Sequence, residues 1–174
     1  MSAPAPARPE TNEYAAYYEK YVSLVPDADI TGTLARQNEE TLALLRTVTE
    51  ERAGFRYEPG KWSIKQVVGH LMDAERIFAY RALAIARGER QALPGMEQDE
   101  YMAHADFDAR TLADLTEEFA HVRRSNVLML RGLDAEAWQR RGVASDNEVT
   151  VRAIAYIIAG HEAHHVQILR ARYL

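Results

Sequence analysis

Four stretches of roughly twenty residues carry apolar side chains at helical spacing, and this pattern limits the chain to folds that bundle helices. An amphipathic helix must bury its stripe, and four such stripes can close one core. The first runs from about Ile30 to Glu50, with Leu34, Leu42, Leu45 and Val48 in its stripe. The second runs from Ile64 to Arg87. Ser63 and Gln66 can form a capping box at its start, Trp62 can staple onto Val67, and Gly88 is a natural stop. The third runs from Leu112 to Gly132 behind a Thr111 cap, with Leu115, Phe119, Val122, Met129 and Leu133 as its stripe. The fourth runs from Val151 to Arg172 behind Thr150, after a short extra turn near Asp134–Trp138. No strand alternation and no internal repeat stand out. The expected fold is all-α, a four-helix bundle. The long polar connection 88–110, with Pro94 and Gly95, can cross the bundle, which predicts an up-down-down-up order.

The chain has 174 residues, the length of one domain. Residues 1–12 are Ala/Pro-rich and are expected to be disordered or extended, leaving 13–174 as the single domain. Residues 13–24 are aromatic-rich and fit a short helix packed against the body. With 26 acids against 21 bases, the net charge of −5 gives no footprint for nucleic acid or an anionic membrane. The absence of cysteine excludes disulfides, thiolate metal sites and a cysteine nucleophile. The first residues lack a signal-peptide pattern and no apolar run would span a bilayer, so a cytoplasmic protein is expected.

The fourth pattern contains the chemistry. On a helical wheel centred on His161, Ile154, Ile157, Ile158 and Ile168 fall within about 60°, and His165 lies about 40° away. Two imidazoles one turn apart therefore point into the core, where unpaired polar groups are costly. Such a pair can converge on one metal ion; a satisfied core histidine is the plainer alternative. His164 sits at the margin of the arc. His70, at the edge of the second helix's arc beside Val67 and Ala74, can supply a third ligand, or it can be a half-exposed surface residue. Three histidines leave coordination positions open, which suits a reactive rather than a structural site.

His161-Glu162-Ala163-His164-His165 also matches H-E-x-x-H, the zinc-protease motif. Only nine residues follow His165 and none is His, Asp or Glu, so the downstream third ligand of those proteases has no counterpart. Glu162 reads better as a solvated charge than as a general base, and no catalytic residue is assigned. Glu75 and Asn126 fall within apolar arcs and read best as buried hydrogen bonds that fix helix register. His104 and His121 suit surface or loop positions, and Arg123 and Arg124 solvated or ion-paired ones.

The segments Trp62–Glu75 (WSIKQVVGHLMDAE) and Gly160–Ile168 (GHEAHHVQI) resemble the DinB-like superfamily, including its YfiT-like metal-dependent hydrolases. The resemblance extends from about Glu13 to Leu174. It implies an up-down-down-up bundle, a metal site at His70, His161 and His165, zinc or nickel as the ion, and frequent homodimers. It also implies a small-molecule substrate: such relatives include hydrolases and transferases of low-molecular-weight thiols. A non-catalytic, stress-related binding or sensing module with a stabilising metal is the alternative.

Overall fold

Capping side chains set where the bundle helices begin. Asp29, Ser63, Thr111 and Thr150 each accept a hydrogen bond from the amide three residues on, and Gln66 returns the bond to Ser63. The computed structural model describes residues 6–26 and 29–174. Two 3-10 turns, Thr11–Glu13 and Ala16–Tyr18, lead into α1 (Glu19–Val22). There follow α2 (Ile30–Leu45), α3 (Glu50–Ala53), α4 (Ile64–Ala86), α5 (Gln98–Ala103), α6 (Leu112–Arg131) and α7 (Ala135–Gln139). A hairpin of β1 (Arg141–Ala144) and β2 (Asn147–Thr150) then precedes α8 (Val151–Ile168). A π-helical turn, Leu169–Tyr173, ends the last helix earlier than its apolar pattern suggested. Gly88, at φ 88°, terminates α4 in the left-handed conformation open to glycine.

The four long helices form the bundle. Both α4 and α2 pack against α6 and α8. Contacts run in opposite directions along α4 and α8: the Tyr173 hydroxyl reaches the Trp62 carbonyl at 2.8 Å, while Phe78 meets His161 at 5.9 Å between ring centres. They run in the same direction along α2 and α8, where Gln37 donates to the Ala159 carbonyl at 3.0 Å and Thr41 to Glu162 at 2.6 Å.

The core divides into two apolar clusters. One gathers Ile30, Leu34, Leu130, Trp138, Ile154 and Ile157; the other gathers Leu42, Ile64, Met72, Leu115, Phe119 and Leu169. A belt of buried polar side chains crosses the bundle where they meet: Asn38 and Thr41 on α2, His70 and Glu75 on α4, Arg123 on α6, His161 and Glu162 on α8.

The hairpin corrects the expectation that the chain holds no strand. Its antiparallel pairing runs from Arg141 opposite Thr150 to Ala144 opposite Asn147. Ser145 and Asp146 make the turn at φ 50° and 61°. Two positive-φ residues give a type I′ turn, whose twist matches that of the strands. Without a side chain, Gly142 leaves room for Ile85, whose Cγ1 lies 2.5 Å from where a Cβ would stand. Of the segment 1–12, residues 1–5 lie outside the described residues. Arg8 donates to the Val22 carbonyl at 2.8 Å and also to that of Val25, and the Glu10 amide donates to Glu13. No helix among the described residues is long and apolar enough to cross a membrane.

Candidate metal centre

The belt's histidine side is built by two helices. His161 and His165 stand one turn apart on α8, and the antiparallel α4 brings His70 opposite them. One nitrogen from each ring lies within 4.8 Å of the other two. The ring centres are 5.0 Å apart for His70 and His161, 4.9 Å for His70 and His165, and 4.6 Å for His161 and His165. The structure thus brings together all three histidines singled out from the sequence. His164 lies beside them, its ring 5.2 Å from that of His165. His104 and His121 are exposed, as expected.

Among the described residues, the one hydrogen bond these three rings make joins Nε2 of His70 to Nε2 of His161, at 3.1 Å. One nitrogen must donate and the other accept. Burial disfavours the charged imidazolium throughout. It pushes His70 down to about 4, against a small opposing pull from Asp99. Burial, then the neighbouring His70, His164 and Lys20, push His165 down to about 3. His161 is driven well below its ordinary value by burial first and by the surrounding histidines next. All three are neutral at pH 7, the state in which imidazole donates a lone pair to a metal.

These residues fit a borderline divalent ion. Neutral imidazoles without carboxylate or thiolate suit zinc, nickel or copper. Two nitrogens held at ~2.1 Å by one tetrahedral ion stand about 3.4 Å apart, close to the 3.1 Å separation of His70 and His161. Trp62 lies 4.9 Å from His70 and Tyr21 lies 5.3 Å from His161, ring to ring, so aromatic walls hold two of the imidazoles. A cleft of about 100 Å³ opens onto His70 and His161, lined also by Tyr21, Phe78, Arg81 and Ser145. A larger open groove of about 570 Å³ between α2 and α6 contains none of the histidines.

Behind the histidines the belt is ionic. Arg123, 1% exposed, donates from Nε and Nη2 to both oxygens of Glu75, at 2.7 and 2.8 Å. Its Nη1 donates to Glu162 at 2.5 Å and to the Leu34 carbonyl at 3.2 Å. Thr41 completes Glu162, and Asn126 donates to Glu75 at 3.1 Å. Glu162 is therefore not the solvated charge expected: it is 1% exposed, because α6 delivers a cation to its edge of α8. Burial raises its carboxyl pKa, with Arg123 and Thr41 opposing. Glu75 makes the buried bonds expected of it, and Asn126, half-buried, donates to it from the edge of the cluster. Sequence reasoning missed Arg123 as their hub, since nothing in the α6 pattern alone marks an arginine that faces inward.

A family model of the DinB superfamily matches residues 33–169, which span most of α2 through α8 and include all three histidines. The chain belongs to the DinB superfamily. Among solved structures, this DinB chain is similar to YfiT from Bacillus subtilis, described as a probable metal-dependent hydrolase with an unusual four-helix bundle topology. The TM-score is 0.69 at 16% identity, covering 95% of this chain and 93% of that one. It is also similar to the DinB-like protein YjoA from Bacillus subtilis, with a TM-score of 0.57 at 19% identity over 81% of this chain and 86% of that one. At these identities the likeness establishes the fold. A search of curated proteins finds no match.

Proposed function

We propose that this DinB-superfamily protein is a metal-dependent enzyme, a hydrolase or a low-molecular-weight-thiol transferase, that acts on a small molecule at His70, His161 and His165. The observation that carries the reading is the convergence of three neutral imidazoles, two of which, His70 and His161, are bonded to each other and line a cleft. Zinc or nickel held there would lower the pKa of water or of a substrate thiol and so provide a nucleophile near neutral pH. The chain's own part is to keep the rings uncharged by burial, to hold them with Trp62 and Tyr21, and to shape the space above them. Hydrolysis is the first activity to test, since YfiT is described as a probable metal-dependent hydrolase. The opposite senses of α4 and α8 and the common sense of α2 and α8 support the up-down-down-up order. A homodimer and a cytoplasmic location belong to the same reading.

Elemental analysis of the purified protein beside a His161→Ala variant, after addition of zinc and of nickel, tests the site. About one ion per chain in the wild type and none in the variant supports it. A screen of ester, amide and thiol substrates then separates hydrolysis from thiol transfer. Metal uptake that stabilises the fold, with no turnover and no small molecule competing, would favour the non-catalytic module. No metal in either protein would remove the basis of the proposal.

A further inference from the structure

Arg81 is a buried cation that neither the apolar core nor the histidine cluster uses. It lies on α4, and at 4% exposure it is nearly as enclosed as Arg123. Its bonding is very different. Nη2 donates to the Pro94 carbonyl at 2.7 Å and to the Ser145 hydroxyl at 3.1 Å, both neutral acceptors. Its Nε is buried without a partner, and no carboxylate among the described residues pairs with it. Of the two acids of the adjoining hairpin, Asp146 is exposed, and Glu148 lies 3.9 Å from Arg141 and is largely exposed. An enclosed guanidinium without a counter-charge is expensive.

The position of this charge relative to the candidate metal centre is informative. His70, Phe78 and Arg81 follow one stripe of α4, spaced at i, i+8 and i+11, and all three line the same cleft. The Phe78 ring joins the two ends. Its centre is 5.6 Å from the Arg81 guanidinium carbon on one side and 5.9 Å from the His161 ring on the other. A second cation, Lys20, stands 3.9 Å from the Tyr17 ring, which also lines the cleft. Asp99 is the acid whose charge is felt at His70.

We propose that Arg81 is the anion-binding residue of this cleft, and that it holds the carboxylate or phosphoryl group of a small substrate whose remainder lies along Phe78 toward the histidines. A bound oxyanion would give the Arg81 guanidinium the charge-assisted bonds it now lacks. The proposal rests on the metal reading only in placing the reacting group at the histidine end; the anion site itself needs no metal.

The test titrates butyrate, its neutral counterpart butyramide, and methyl phosphate into the purified protein, and follows the Arg81 Nε–H resonance by nitrogen-edited NMR. The expected result is that at least one anion shifts that resonance and binds about tenfold or more tighter than butyramide. The tighter of the two anions assigns the headgroup as carboxylate or phosphoryl. Arg81→Gln should abolish the preference for anions while still taking up zinc. His161→Ala should keep the preference while losing zinc, so failure of the metal site and failure of the anion site are read separately. An unmoved Nε–H resonance, or anions that bind no better than butyramide, would overturn the proposal. Both are measured on the wild type, so the outcome stands even if Arg81→Gln fails to fold.

Discussion

The polar belt has two halves that share α4 and α8, and they handle buried polarity in opposite ways. Around Arg123, the guanidinium donates to two carboxylates and a carbonyl, while Thr41 and Asn126 supply further donors to the acids. That half is complete as it stands. Around His70, His161 and His165, one hydrogen bond joins His70 to His161, and the protonated forms of all three rings are suppressed by burial. On the proposed reading, a bound divalent ion completes that half by taking up the ring nitrogens' lone pairs. Glu75 lies five residues after His70, and Glu162 follows His161 directly, so the ionic half fixes α4 and α8 at the level where the histidines meet. Buried polarity by itself therefore does not identify a functional site; what sets the histidine half apart is the convergence of three neutral rings.

If the ionic half is structural, removing its hub has the largest effect. Arg123→Met strands Glu75 and Glu162, both nearly fully buried, and should cost about 3–5 kcal/mol in urea denaturation. Replacing Glu75 and Glu162 by apolar residues in the same chain should recover most of that loss, because a buried ionic cluster is often no more stable than a well-packed apolar one. A loss below about 1 kcal/mol for Arg123→Met would mean that the two halves do not differ in the way described. His161→Ala addresses the other half. The wild type should gain about 2.7 kcal/mol when free zinc stands at a hundred times its dissociation constant. The variant should gain nothing, and denaturation curves with and without zinc measure the difference. Equal stabilisation of both proteins would move the metal elsewhere.

Local signals were legible in the sequence, and long-range ones were not. The caps at Ser63, Thr111 and Thr150 fixed three helix starts, because a cap is a bond between residues three apart. The histidines were found because two isoleucine-flanked imidazoles on one stripe have no cheap apolar explanation. Glu162 was misjudged because its position at the edge of an apolar arc is compatible with water or with a neighbouring helix. The deciding residue, Arg123, comes from α6, 39 residues away. The hairpin was overlooked because Ser145–Asp146 lacks the Asn-Gly signature of a type I′ turn, and its strands are four residues each. Arg81 carried no signal, since its lack of a counter-charge is a property of its surroundings.

A smaller effect is expected where α1 covers the histidine half. A Cβ on Gly160 would stand 2.0 Å from the Tyr21 carbonyl oxygen, which is backbone and cannot swing aside. Gly160→Ala should therefore lift α1 and its Tyr21 ring from His161 at a cost of about 2 kcal/mol, reduced by the better helix propensity of alanine. Zinc uptake should survive, because the three histidines are on α4 and α8. Gly69→Ala is the control. Its Cβ would meet the Phe107 ring at 2.3 Å, a side chain able to rotate away, so it should cost less. If Gly160→Ala abolished metal uptake, α1 would have to be counted as part of the site.

The smallest effect concerns Glu13, which repeats the logic of the ionic half at the edge of the molecule. Burial alone would raise its carboxyl pKa, yet bonds from Arg152, the Glu10 amide and Thr150 outweigh burial and hold it at about 2. A carboxyl held below its unfolded value of 4.5 binds fewer protons folded than unfolded in between, so its contribution is full above pH 4.5 and is lost as pH falls toward 2. Glu13→Gln keeps one acceptor for these donors and should cost on the order of 1 kcal/mol at neutral pH. Urea midpoints measured from pH 6 down to 2 should show the wild type's advantage over Glu13→Gln shrinking across that window. A constant advantage would show that Thr150 and Arg152 need only an acceptor there. The satisfied clusters of this protein would then act through hydrogen-bond geometry, with charge confined to the Arg123 hub.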